Sequence, residues 1–168
     1  MNKTALWIFA ASLTGCGLQA QTNPLVKEMR AQYEGVKGNL LKAADKMTEE
    51  NYSFKPTPEV RTFGALIGHI AGQIRTCAMI KGEQKTIDAT KTAKADLVAA
   101  LKASFDECDA AWDTMDASAM EMIAGRGGQQ RTKLSALIQS TIIHNNEMYG
   151  YMCPYMRLKG VTPPSSDR

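Results

Sequence analysis

The chain has 168 residues, 44% hydrophobic and 22% charged, with 20 Lys+Arg against 17 Asp+Glu for a formal charge of +3. That length supports one domain with a true core and is short for two. A charge this small and scattered excludes a chain built to coat nucleic acid. Thirteen Gly and six Pro in a normal apolar background exclude a fibrous or disordered chain, and no apolar run approaches the roughly twenty residues that would span a bilayer.

Residues 1–20 read as a secretory signal: Lys3 supplies the positive start, Ala5 to Leu13 the short apolar stretch, and small residues follow. Two processing sites compete. Leu13-Thr14-Gly15-Cys16 resembles a bacterial lipobox that would anchor the chain through lipidated Cys16, and Leu18-Gln19-Ala20 resembles an ordinary cleavage site. The soluble exported form, periplasmic or secreted, is preferred, with the membrane-anchored lipoprotein as its alternative. The folded domain is then 21–168.

Four helical segments follow. From Asn23 to about Met47 the positions Leu25, Met29, Tyr33, Val36, Leu40, Ala44 and Met47 advance by three or four, which turns one helix face to a core. The second runs from Thr62 to Lys81 on Phe63, Leu66, Ile70, Ile74 and Cys77; Thr62 is its N-cap and Gly82 its stop. The third, from about Thr92 to Met115, carries Leu97, Leu101, Phe105, Cys108, Trp112 and Met115. The fourth extends from about Thr132 to Lys159, with Leu134, Leu137, Ile138, Thr141, His144, Met148, Tyr151, Met152 and Tyr155 on its stripe. Pro154 should kink or break it, because it lacks a backbone donor and crowds the preceding turn.

The connecting segments are the Pro-rich 51–59, Gly82 to Thr90, and Ala117 to Gln130; the glycine cluster 125–128 reads as a flexible turn rather than an anion cradle. Strand signals are weak throughout. Four amphipathic helices of this length bury their stripes most simply as an all-α four-helix bundle. Cys77, Cys108 and Cys153 sit inside helical patterns and read as small buried apolar groups, with at most one pair able to close.

The two histidines, His69 and His144, lie on or beside the inward stripes of different helices. Imidazole is the commonest protein ligand for transition metals near neutral pH, and metal sites in bundles are built between facing helices. The competing explanation is a pair of hydrogen-bonded core residues.

The run Tyr52-Ser-Phe-Lys-Pro56, then Arg61-Thr-Phe-Gly-Ala-Leu-Ile-Gly-His69, then His144-Asn-Asn-Glu-Met148-Tyr-Gly150 and Tyr155-Met-Arg-Leu-Lys-Gly160-Val-Thr-Pro-Pro164 resemble the DinB/YfiT-like family of four-helix metalloenzymes. The resemblance implies an up-down-down-up or similarly crossed bundle and a homodimer. It also implies a metal held by three histidines, one on the second helix and two spaced by four on the last. His69 and His144 match two of them, and Met148 occupies the third position. A neutral thioether is a poor donor to Zn²⁺ or Ni²⁺.

Three outcomes stay open at this point. The site has decayed, leaving His69 and His144 as polar core or pocket residues; or Glu147, three residues after His144, completes a two-His, one-carboxylate set; or His69, His144 and Met148 bind a softer ion such as Cu(I). A chain without metal is as well supported as one carrying Zn, Ni or Cu(I). Tyr149, Tyr151 and Asn145 are the expected hydrogen-bonding neighbours of a metal site. The functional expectation is an exported, divergent metal-dependent hydrolase or transferase with Glu147 as third ligand or base. The alternative is a metal-free, non-enzymatic module, stress-associated or binding a small molecule. Family members working with low-molecular-weight thiols use cytosolic cofactors, so the resemblance implies fold more firmly than reaction.

Overall fold

The computed structural model describes residues 23–88 and 90–167. The expected signal segment 1–20, with the possible lipobox at 13–16 and its Cys16, falls outside the described residues. Helix α1 (Pro24–Lys46) opens on Asn23, whose side chain accepts from Leu25 N at 3.1 Å, with Pro24 in the first turn where its missing donor costs nothing. Its buried face is Val26, Tyr33, Val36, Leu40, Ala43 and Ala44. Leu25, expected on that face, is half exposed.

The second segment is two helices, α2 (Phe63–Ala71) and α3 (Ile74–Ile80). Thr62 caps α2 as expected, accepting from Ala65 N. The break comes at Gly72 and Gln73, where tighter i→i−3 bonds take over: Gln73 N to Ile70 O at 3.0 Å and Thr76 N to Gln73 O at 2.9 Å. Gly82, with φ +80°, ends α3 where the sequence placed its stop. Helix α4 (Lys94–Trp112) buries Leu97, Leu101, Phe105, Cys108 and Trp112, the expected stripe, and a short helix α5 (Met115–Ser118) follows.

Residues 117–130 do not form a featureless turn. Strands β1 (Met122–Ala124) and β2 (Gln130–Thr132) pair antiparallel around the glycine cluster, with Gly127 and Gly128 at positive φ. Thr132 then caps helix α6 (Lys133–Leu137), accepting from Ser135 N. A wide, π-type turn over Ile138–Ile143 leads into helix α7 (His144–Leu158). No break occurs at Pro154: α7 runs through it to Leu158. One lost backbone bond does not end a helix whose buried stripe continues through Met152, Tyr155 and Met156.

The long helices form the expected bundle. Helix α4 packs on α1, α2 and α3, and α7 packs on α1 and α2, so α1 and the α2–α3 pair lie diagonally across the core. Cys77 on α3 and Cys108 on α4 form a disulfide, correcting the expectation that all three cysteines are plain buried thiols; Cys153 is free. The two facing stripes bring these sulfurs together, which spacing along the chain does not report. The C-terminal segment folds back on α7, where the Tyr149 hydroxyl donates to Ser165 Oγ and accepts from Ser165 N. No described helix is long and apolar enough to cross a membrane.

Candidate functional site

His69 follows Leu66 by one turn near the end of α2, and His144 is the first residue of α7 after the wide turn. The turn is held by Trp112, whose Nε1 donates to Thr141 Oγ1 at 3.3 Å, while that hydroxyl donates to Leu137 O at 2.8 Å. The two imidazoles, 75 positions apart in sequence, meet with Nε2 to Nε2 at 3.1 Å, ring centroids 5.0 Å apart and planes inclined by 63°. The shared face is the one the sequence singled out.

His69 is exposed and His144 is half-buried. Loss of solvent, then the positive charge of Arg61 and the neighbouring His144, hold the His69 pKa below its ordinary value, while Glu147 opposes them. A neutral His69 presents either a lone pair or an N–H at Nε2. In the metal-free pair one ring donates and the other accepts.

The nitrogens also fit a shared ion. With metal–nitrogen bonds of about 2.0–2.1 Å, donors 3.1 Å apart subtend about 95–100°, between the octahedral and tetrahedral angles. The rest of a triad is not there: among the described residues no group of three His, Cys, Asp or Glu side chains is placed to hold a metal. Met148 is 5% exposed and packed in the hydrophobic core. Glu147 is exposed and its Oε1 accepts from the Tyr151 hydroxyl at 3.1 Å.

The expected neighbours of the site also bond elsewhere. Tyr149 is engaged by Ser165 and Tyr151 by Glu147. Asn145 donates from Nδ2 to Gln73 Oε1 at 2.7 Å. Both amides are buried, and Gln73 Nε2 and Asn145 Oδ1 have no partner among the described residues.

Both histidines line a cavity of about 720 Å³ that also includes Gln73, Arg75, Arg131 and Ser140. A second cavity of about 560 Å³ lies on the other side of His69, lined by Glu49, Asp88 and Lys91 among others. Gly68, His69 and Ile87 border both. Sequence reasoning missed Gln73, Arg75 and Arg131. On an unbroken helix, six residues place Arg75 about 120° round from His69, so periodicity does not group them. Arg131 belongs to a strand too short to show alternation.

The profile of the DinB superfamily matches residues 32–152. The chain belongs to the DinB superfamily. Two solved structures show the same fold. One is a DinB-like protein from Bacillus cereus, at 19% identity and TM-score 0.69, covering 82% of this chain and 95% of that one. The other is a mycothiol-dependent maleylpyruvate isomerase, at 15% identity and TM-score 0.59, covering 76% of this chain and 59% of that one. Comparison with curated proteins finds no significant match. Within the superfamily frame, the His69–His144 pair is the part of this chain's site that the fold assembles.

Proposed function

We propose that this DinB-superfamily chain is an exported, divergent metal-dependent enzyme, a hydrolase or transferase, whose ion sits on His69 and His144 at the cavity they line. The observation that carries the proposal is the 3.1 Å approach of the two Nε2 atoms. A divalent ion there would act as a Lewis acid and lower the pKa of a coordinated water or thiol. Two protein donors make a weaker seat than three and leave more positions open for ligand. His69, kept neutral at neutral pH, retains a lone pair for coordination. Glu147, one turn from His144, is the candidate base; its hydrogen bond to Tyr151 tethers it on the exposed face of α7.

Export is supported by the N-terminal pattern and by the Cys77–Cys108 disulfide, a bond that persists in oxidising compartments. A homodimer follows the superfamily resemblance. A second, metal-free reading is favoured by one observation: Met148 stands in the apolar core where a third nitrogen would be needed. In that reading the cavity binds a small molecule without chemistry.

The deciding experiment is metal content after dialysis of the purified chain against Zn²⁺, Ni²⁺, Mn²⁺ and Cu ions, with and without reductant. About one ion per chain, lost in both His69→Ala and His144→Ala, supports the enzyme reading. No ion retained under any condition leaves the metal-free module.

A further inference from the structure

We infer that the cavity beside His69 and His144 receives the oxyanion of a small acid, a carboxylate or phosphate group, between Arg75 and Arg131. This rests on the reading above that the same cavity is the reactive site, and it names the class of molecule bound there.

The walls carry the case. No Asp or Glu lines this cavity, whereas two arginines do. Among the described residues neither guanidinium has an ion-pair partner. The neighbouring cavity across His69 has the opposite character, with Glu49 and Asp88 against a single Lys91. In a chain with so small a net charge, two guanidiniums without an ion-pair partner therefore share one cavity wall free of carboxylates. A planar guanidinium presents paired N–H donors that match carboxylate and phosphate oxygens.

The hairpin is shaped to deliver one of the two. Arg131 stands opposite Ile123 in the β1–β2 register, and its side chain lies against Gly125. A Cβ at position 125 would come within 2.9 Å of Arg131 Nε and 3.0 Å of Gln129 O, so only glycine leaves room for that course. The second arginine comes from α3, three residues beyond the break at Gly72 that re-phases the helix. Between them the lining adds the hydroxyls of Thr76 and Ser140 as further donors. At about 720 Å³ the space suits a metabolite-sized acid.

Calorimetric titration of the full, chelator-treated chain at low ionic strength tests this with malonate, inorganic phosphate and neutral glycerol as probes. Malonate or phosphate should bind and glycerol should not. Whichever anion binds identifies the headgroup as carboxylate or phosphate. Arg75→Gln and Arg131→Gln should each weaken that binding at least about tenfold, the scale of a lost charge-assisted hydrogen bond. Lys102→Gln, the same charge loss at an exposed position of α4 outside the cavity, should change it less than about twofold. Circular dichroism checks that each variant is folded. Failure of both anions to bind, unchanged binding in the arginine variants, or an equal loss in Lys102→Gln overturns the inference. A metal titration of the same samples separates the two readings. Anion binding without any metal binding keeps this inference and removes the metal, and metal binding without anion binding does the reverse.

Discussion

Asn145 on α7 hydrogen-bonds Gln73 at the α2–α3 break, Nδ2 to Oε1 at 2.7 Å, with both side chains out of solvent. The bond ties the two elements that carry His144 and His69, next to one ring and one turn from the other. Truncating one partner strands the other's amide in a dry site. Asn145→Ala should therefore destabilise the fold by about 1–3 kcal/mol in urea unfolding. Replacing both amides by apolar groups of similar size, Gln73→Met with Asn145→Leu, should recover most of that loss. A double variant as unstable as the sum of its singles would show that the pair is not coupled.

Much of this was legible in the sequence, and the physics of each miss is specific. The stripes of α1 and α4 read directly, because an amphipathic helix repeats its apolar spacing over many turns. Thr62 reads as a start because a hydroxyl before an apolar run has one capping task, and the structure shows it accepting as the N-cap; Thr132, placed only as the approximate start of the fourth segment, proves to be a cap as well. The break at Gly72 was hidden because Ile70, Ile74 and Cys77 keep regular helical spacing across it. Thr141 and Met148 are buried as their spacing indicated, but after the wide turn at Ile138–Ile143 Asn145 joins them, His144 stands at the edge of the stripe and Tyr151 is exposed; no local residue type marks that shift. Strands of three residues are shorter than any pattern can certify. The histidine pairing was legible from two signals together, the place of both residues on or beside inward stripes and the family's motif, since nothing local connects positions 69 and 144.

The Cys77–Cys108 bond closes a long loop, with a sequence separation of 31. A loop of that length restricts the unfolded chain by about 3–4 kcal/mol at 25 °C in the chain-entropy picture. Cys77→Ala with Cys108→Ala, or full reduction, should lower stability by about that amount while leaving helical content unchanged, as read by urea unfolding monitored by circular dichroism. Both sulfurs are fully buried between α3 and α4, so mild reductant should act slowly on the native fold. A transition midpoint indifferent to reduction would mean that the native chain does not carry this bond.

The environment of His69 gives a signed pH dependence. Its pKa is held below the ordinary 6.5 by loss of solvent first and by Arg61 and His144 next, with Glu147 pulling the other way. Arg61→Ala should therefore raise the His69 midpoint in an imidazole-resolved NMR titration, and Glu147→Gln should lower it. Because the folded value lies below the unfolded one, the unfolded chain takes up the proton first. The His69 contribution to stability is complete above the unfolded pKa, declines as the pH falls through it, and levels off below the folded value. The opposite signs in the two variants would contradict this placement of charge.

Met148 stands one helical turn after His144 on the same face of α7, where the superfamily resemblance expects a third imidazole. If the two nitrogens at 3.1 Å are two corners of a metal seat, the missing corner is a matter of side-chain chemistry rather than backbone position. Met148→His should then raise Zn²⁺ or Ni²⁺ affinity by about an order of magnitude or more, the scale on which metal-site groups count. The cost should be some stability, since an imidazole replaces a thioether that is 5% exposed in the core. The gain should vanish when His69→Ala or His144→Ala is combined with it. A folded Met148→His chain with unchanged affinity would show that α7 does not turn this position toward the histidine pair, and that the two rings meet for packing and a hydrogen bond alone.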